Sequence, residues 1–363
     1  MDIIPIQYYS ILYFQFLLIV VLLVYIQCFQ TDLTDSDNLK SKNAFGFFLL
    51  IVITLYMGLR PIKAAFGDMI IYYYELRNYI NGAPFDTKKD FLFECMKYFF
   101  ANFLSPESFF FTCSFLYVFP LYWATKKLFK DYWFYCFLML VASLSFWAYG
   151  VNGIRNGVAT SMFFYAISRN KLPLKIFFIL VTLMIHKSML VPVGAYFLAS
   201  NYTNVKMYFY FWLLTIPLSL ALGGFWESFF LNLGFGDEKL DAYLGQFDQA
   251  SEGVTLTVGF RWDFLLYSAS GVFAAWYFIF KKKFNDLFYN KLVGTFLVAN
   301  GFWILVIRAN YSNRFAFLSW FLLGMVIIYP LLKSKFFKNQ HVVIGTILIV
   351  YFAFTYLLNI IFV

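Results

Sequence analysis

The stretch YYSILYFQFLLIVVLLVYIQ, residues 8–27, contains no charged residue and is apolar over most of its length. A helix needs about 20 such residues to cross the hydrocarbon core of a bilayer. The stretch therefore predicts a transmembrane helix near the N-terminus. The residues before it lack the positive region and the small-residue cleavage site of a signal peptide, so we expect this helix to be retained.

Apolar runs of similar length recur along the whole chain, which is 62% hydrophobic and has a mean hydropathy of +0.71. They predict an all-α polytopic membrane protein, a single integral domain over residues 1–363 with about 12 transmembrane helices (range roughly 10 to 13). The stretch 175–199 is interrupted by His186, Lys187 and Pro192. It can be one broken helix, two short helices or a re-entrant pair. The predicted runs are residues 8–27, 44–58, 108–124, 132–149, 151–168, 173–185, 188–199, 206–222, 263–280, 288–307, 312–332 and 341–361.

The lysines close short loops, as in residues 126–130, 281–283 and 333–338. Such loops are typically cytoplasmic, which places both termini outside. In this arrangement six of the seven arginines fall on the outer side. The net charge of +9 then reflects topology, and nucleic-acid binding is not expected because no basic segment lies outside the short loops.

Two outer segments are long enough to have a function of their own. In residues 60–107, helical spacing places Asp68, Tyr72, Glu75 and Tyr79 on one face beside Arg77, which predicts an amphipathic helix at the membrane interface. Residues 223–262 form an acidic loop that can be a lid or a passive connection, and the next helix begins around Arg261, Trp262 and Asp263.

The four cysteines show neither paired spacing nor metal-ligand spacing. We expect no disulfide framework, no metal site and no cofactor.

The turn YGVNGIRNG, residues 149–157, joins two apolar runs on the outer side. Asn152 fits the N-cap of the following helix, whose N–H groups attract anions, and Arg155 adds a bidentate donor. The alternative is an ordinary hairpin whose arginine reaches the lipid headgroups.

A second outer hairpin, RANYSNR, is bracketed by Arg308 and Arg314, which could hold a diphosphate from two sides or could simply anchor the helices. His186 lies within an apolar region, where a histidine is costly unless it is paired or used. It is therefore a candidate functional residue, although a hydroxyl neighbour could also satisfy it.

Taken in order, Gly67-Asp68 with Tyr72, the segment 155–159, the segment 185–188 and Arg314 resemble the EpsG-type membrane polymerases of bacterial exopolysaccharides, which are related in role to the Wzy O-antigen polymerases. The likeness spans residues 60–330. Asn156 stands where we expect glutamine, a departure that shortens the reach of the amide.

The resemblance implies a GT-C-like glycosyltransferase of the bacterial inner membrane that acts on undecaprenyl-diphosphate-linked oligosaccharides at its outer face. A chain-length regulator and a flippase are candidate partners, beside membrane lipids. We expect a metal-independent reaction in which fixed cations meet the charge of the leaving diphosphate. Arg155, Arg308 and Arg314 are the candidates for that role, and Arg60 or Arg77 would hold the second carrier.

The general base is expected among Asp68, His186, Glu75 and Asp263, in that order of preference. Tyr72, Asn152, Asn156, Arg261 and Trp262 are expected to contact the sugars or shape the outer turn. A flippase for the same lipid is the main alternative, although its cations should lie at mid-membrane depth. A ligase-type glycosyltransferase would present similar residues.

Overall fold

The computed structural model describes residues 4–86, 90–232, 259–309 and 312–361. In these ranges the chain forms helices and short connections without a strand, which confirms the all-α class. The helices are α1 (Tyr9–Gln30), α2 (Ser36–Gly58), α3 (Asp68–Ile80), α4 (Phe91–Phe103), α5 (Pro106–Phe129), α6 (Trp133–Val141), α7 (Leu144–Val151), α8 (Ile154–Ile167), α9 (Leu172–Ile185), α10 (Leu190–Asn201), α11 (Val205–Asn232), α12 (Trp262–Trp276), α13 (Leu287–Leu305), α14 (Ser312–Lys333) and α15 (Gln340–Tyr356).

Seven segments within the described ranges are long and apolar enough to cross a membrane, which supports a polytopic membrane protein. Each of the predicted apolar runs contains helix, but several helices are too short for the expectation of about 12 full spans. A helix rises about 1.5 Å per residue, so the 12 residues of α10 extend only about 18 Å. The seven segments are 6–30, 36–58, 106–141, 205–226, 262–281, 312–333 and 340–361.

The interrupted stretch 175–199 forms two short helices, α9 and α10. Between them His186 is extended, with φ −157° and ψ 119°, and residues Lys187–Met189 form a 3-10 turn. The run 132–149 is likewise divided, because α6 ends at Val141 and α7 begins only at Leu144.

Both outer segments contain helix. Residues 60–107 contain α3 and α4, and α3 carries Asp68, Tyr72 and Glu75 as their spacing predicted, while its position at the membrane interface stays a prediction. The segment 223–262 was expected to be a loop, but α11 continues to Asn232 after non-helical backbone at Leu222. Residues 233–258 lie outside the described part of the chain, so the lid remains a prediction.

Several helices begin where the sequence supplies a side chain to cap them. The Asp35 carboxylate accepts hydrogen bonds from the N–H groups of Asp37 and Asn38 at the start of α2, at 2.9 and 3.2 Å. Ser105 accepts one from the N–H of Ser108 at 3.2 Å, directly before the first turn of α5. These bonds satisfy donors that a helix leaves unpaired at its N-terminus.

The chain divides into two compact units, Met1–His186 with Leu331–Val363, and Lys187–Pro330. In the first unit α5 packs against α2 and α8, α8 packs against α9, and α1 packs against α15. In the second unit α13 packs against α10 and α11. Its core contains a polar cluster in which Asn300 bonds to Trp212, Ser268 and Ser319 at 2.7 to 3.0 Å.

The first unit has two groups of polar contacts. In one group His341 bonds to Tyr135 at 2.7 Å, and Lys333 donates to the carbonyl of Leu128 at 2.6 Å. In the other group the turn after α7 meets the start of α3. These contacts join loops expected inside in the first case and loops expected outside in the second, and the membrane side that each group faces stays a prediction.

Candidate functional site

The turn between α7 and α8 is tied to the beginning of α3. The Asn152 Oδ1 atom accepts a hydrogen bond from the backbone N–H of Asp68 at 2.9 Å. Gly67, just before α3, has a φ of +61°, and a Cβ atom at this position would collide with the Asn152 amide. Glycine is therefore required here both for its backbone conformation and for the close approach.

Asn152 does not cap the helix that follows it, contrary to our expectation. Gly153 occupies the N-cap of α8 and makes no side-chain cap bond. The amide instead satisfies the first N–H of α3, a helix that lies more than eighty residues earlier in the chain. Because this contact is distant in sequence, local spacing could not reveal it.

Arg155, in the first turn of α8, is held by two side chains from other segments. Its Nε atom donates to the Tyr72 hydroxyl at 3.0 Å, and its Nη1 atom lies 2.8 Å from Asp90 Oδ2. Burial raises the pKa of the Tyr72 hydroxyl well above its usual value, even though the Arg155 charge acts in the opposite direction. The hydroxyl therefore stays protonated and accepts from the guanidinium.

His186 reaches the same carboxylate. Its Nδ1 atom lies 2.8 Å from Asp90 Oδ2, the oxygen that also meets Arg155. His186 is only 6% exposed and Asp90 only 2%. A carboxylate buried to this degree is costly unless it is paired, so the arrangement of arginine, aspartate and histidine forms one charge-coupled site.

Asp90 was not among the residues that the sequence singled out. It precedes the apolar run of α4, a pattern typical of an ordinary helix N-cap. Asp90 does occupy that N-cap, but its side chain makes no cap bond and points to Arg155 and His186. A carboxylate just before a helix gives no local sign of such distant partners.

Glu75, on α3, is paired with a lysine of α4. The Lys97 Nζ atom lies 2.5 Å from Glu75 Oε2 and 2.6 Å from Glu94 Oε1. A carboxylate that is paired with a buried lysine is a poor proton acceptor, so the geometry does not favour Glu75 as a base. Arg77, on the same helix, is exposed.

Arg60 lies where two helices end. Its guanidinium donates to the carbonyl of Met57, near the end of α2, and to that of Val151, the last residue of α7, the latter at 3.3 Å. Only 4% of Arg60 is exposed, and this burial lowers its pKa to about 10, at which it is still charged at neutral pH. Cations are stabilised at helix C-termini, so the geometry favours a capping role over contact with a second carrier.

The remaining candidates lie elsewhere in the chain. Arg261 donates two hydrogen bonds to the Asp263 carboxylate, at 2.9 and 2.6 Å. Trp262, the intervening residue in the sequence, is 59% exposed. Arg308 donates to the carbonyl of Leu220 at 3.4 Å, and Arg314 lies in the first turn of α14. The approach of these arginines to Arg155 stays a prediction.

Asn156, where glutamine was expected, is half-buried in the first turn of α8, next to Arg155.

Among the residues that the structure describes, no group of three or more His, Cys, Asp or Glu side chains could hold a metal ion. Metal independence of the reaction stays a prediction.

The sequence profile of the EpsG family matches residues 43–363, which cover the site and nearly the whole chain. No curated protein and no solved structure gives a significant match. The family match confirms the resemblance drawn from the short motifs, and it indicates a polysaccharide polymerase, a glycosyltransferase activity. The chain therefore belongs to the EpsG family.

Proposed function

We propose that the protein polymerises oligosaccharide repeat units linked to undecaprenyl diphosphate, at the outer leaflet of a bacterial inner membrane. The observation that carries the proposal is the buried Asp90 carboxylate between Arg155 and His186. Family membership supports the polymerase activity, and the seven candidate spans support a membrane-embedded substrate. An outward-facing enzyme has no access to nucleotide sugars, so a lipid diphosphate is the natural energised donor.

In the proposed step, a hydroxyl at the non-reducing end of one lipid-linked repeat attacks the anomeric carbon of a growing chain on another carrier. A new glycosidic C–O bond forms and the C–O bond to the diphosphate breaks. Undecaprenyl diphosphate leaves with the bonding electrons, and the hydroxyl proton passes to a general base. The site must therefore supply a proton acceptor and a cation near the leaving group.

His186 is the base that the geometry favours. Asp90 pairs with the Arg155 guanidinium, and a carboxylate in such an ion pair can only accept hydrogen bonds. The His186 Nδ1 atom, 2.8 Å from Asp90 Oδ2, must then carry the proton of that contact. Its Nε2 atom keeps a lone pair that can accept the proton of the acceptor hydroxyl, as in other carboxylate-oriented histidines.

Arg155 is the proposed ligand of the leaving diphosphate. Tyr72 and Asp90 fix the orientation of its guanidinium, and it lies in the first turn of α8, whose dipole also attracts anions. Arg308 and Arg314 remain proposed contributors of further positive charge.

Asp68 is the alternative base. It begins α3 one turn before Tyr72 and is half-buried, so a substrate between α3 and α8 could reach it. Two other candidates are less suited, because Glu75 is paired with Lys97 and Asp263 with Arg261.

The function is tested by deleting the gene and examining the surface glycan. Loss of a polymerase leaves assembly and export of the repeat intact, so the ladder of long chains should collapse to a single repeat unit. Disappearance of even the single unit would instead indicate a flippase, and long chains accumulating on the undecaprenyl carrier would indicate a ligase. An unchanged ladder, in a strain without a second polymerase, contradicts the proposal.

The outward orientation is tested by cysteine labelling in intact spheroplasts. A cysteine at Gly153, beside the site, should react with an impermeant thiol reagent, while cysteines at Lys127 and Lys335 should be shielded. Cys95 is half-buried and should first be replaced by serine, whereas the other native cysteines are buried. The reverse labelling pattern would place the site on the cytoplasmic side.

A further inference from the structure

A buried ion cluster joins α3 to α4 beside the proposed site. Lys97 is 1% exposed, and its ammonium lies 2.5 Å from a Glu75 oxygen and 2.6 Å from a Glu94 oxygen. Glu94 is itself 2% exposed. Two carboxylates thus share one cation; Lys97 and Glu94 are shielded from water, while the Glu75 side chain is 22% exposed.

Such a cluster is an expensive way to hold two helices together. Taking the Lys97 and Glu94 charges out of water costs much of what their attraction returns, and well-packed apolar side chains would often stabilise the same contact equally well. What the ions add is a fixed geometry, because each charged atom is tied to its partner by a short directional bond.

The cluster fixes the chain on both sides of Asp90. The Tyr79 hydroxyl donates to Glu94 Oε2 at 2.8 Å and accepts the backbone N–H of Asp86 at 3.2 Å. Asp86 precedes Asp90 by four residues. Glu94 follows Asp90 by one helical turn, and its backbone N–H donates to the Asp90 carbonyl at 3.0 Å.

The cluster also contacts the aromatic ring that orients Arg155. Lys97 Nζ lies 5.7 Å from the centroid of the Tyr72 ring, and the hydroxyl of the same ring accepts from Arg155 Nε at 3.0 Å. Phe93 packs edge-on against Tyr72, with 5.3 Å between centroids. A cation near a ring face stabilises that ring position.

We propose that Lys97 is a positioning residue of the polymerase: through Glu94 and Tyr79 it fixes Asp90, and through Tyr72 it fixes the guanidinium of Arg155. This inference rests on the proposed function, because it assigns Lys97 to the precision of the Arg155 and His186 site. Lys97 itself touches no reacting atom. Its removal leaves Glu75 and Glu94 without their shared cation, so Asp90 and the Tyr72 ring are expected to shift.

The test uses purified full-length protein and the lipid-linked repeat extracted from the deletion strain. Lys97→Met should slow elongation by roughly 10- to 100-fold, the scale of a small misplacement of catalytic groups. The matched control is Lys40→Met. Lys40 pairs with Asp37, three residues earlier, just as Lys97 pairs with Glu94, but the Lys40 side chain is 79% exposed. The control should elongate at the wild-type rate.

The same substitution in an Arg155→Lys background separates positioning from general damage. Lys97 is proposed to act on Arg155 through Tyr72 and on Asp90 through Glu94, so its loss should cost several-fold less once the guanidinium is gone, because the first of these two routes then has no effect. An equal fold-loss in both backgrounds would overturn the inference. So would a wild-type rate for Lys97→Met.

Melting temperatures in detergent show whether each variant is folded. If Lys97→Met does not fold, Glu75→Gln takes its place, since it keeps the ion pair of Lys97 with Glu94 and changes a side chain that is 22% exposed. A smaller loss in the same direction is expected, because the pair of Lys97 with Glu94 stays in place, and the coupling to Arg155 should persist. Failure of the wild-type protein to extend the repeat would contradict the proposed function, whereas normal extension by the variants contradicts only the role of Lys97.

Discussion

Replacing Asp90 with asparagine probes the site most sharply, because the two side chains nearly match in size and differ in charge. Asp90 Oδ2 accepts two contacts of 2.8 Å, from Arg155 Nη1 and His186 Nδ1. Hydrogen bonds to a charged group are worth about 1 kcal/mol more than neutral ones. Neutralising the acceptor therefore removes about 2 kcal/mol from the two contacts together.

A second loss adds to the first. If the asparagine NH₂ group faces His186, the imidazole must change tautomer, and its Nε2 atom then carries a proton and cannot accept another. We expect a total of about 2 to 4 kcal/mol of lost transition-state stabilisation, the usual scale for one charge-directed group. At about 1.4 kcal/mol per factor of ten, elongation should slow by roughly 30- to 900-fold.

The assay is the initial rate of chain elongation by purified protein, corrected for the folded fraction found from thermal melting. Asp37→Asn is the matched control, since Asp37 belongs to a surface ion pair and is 88% exposed. It should leave the rate unchanged. A folded Asp90→Asn protein with a rate within about threefold of wild type, less than 1 kcal/mol, would refute the reasoning.

Four further substitutions test the surroundings of this carboxylate. Arg155→Lys should lose about 2 to 4 kcal/mol of transition-state stabilisation at normal protein level, because lysine cannot make the bidentate contact; a fully active variant would indicate a mere membrane anchor. His186→Asn should abolish long surface chains while Asp68→Asn keeps them, and the opposite outcome would make Asp68 the base. Gly67→Ala should lower the free energy of unfolding by more than about 1 kcal/mol, since it strains a positive φ and displaces Asn152; an unchanged melting temperature would contradict the close contact.

The apolar runs predicted the helices well, because apolar length and helical spacing are local properties. The face that Asp68, Tyr72 and Glu75 share appears as α3. His186 stood out because a histidine in an apolar stretch needs a partner. The break after Val141 could not be foreseen, since the run 132–149 is apolar on both sides of it.

The partners of the site residues could not be predicted from the sequence, because their contacts join segments that are distant along the chain. Asp90 meets Arg155 and His186 across 65 and 96 residues. The Val151 carbonyl that accepts from Arg60 is 91 residues away, so an arginine expected to hold a carrier could not be recognised as a helix cap. Sequence patterns indicated which residue types to examine, and only the packing identified their partners.

Elongation of the purified lipid-linked repeat by the wild-type protein and by His186→Asn tests the proposed reaction itself, when the released undecaprenyl diphosphate is measured together with the glycan. We expect the wild-type protein to form a ladder and to release one undecaprenyl diphosphate for each new glycosidic bond, while the folded variant forms almost no ladder. A wild-type protein that leaves the repeat unextended, or a His186→Asn protein that builds the ladder at the wild-type rate, would contradict the proposed reaction.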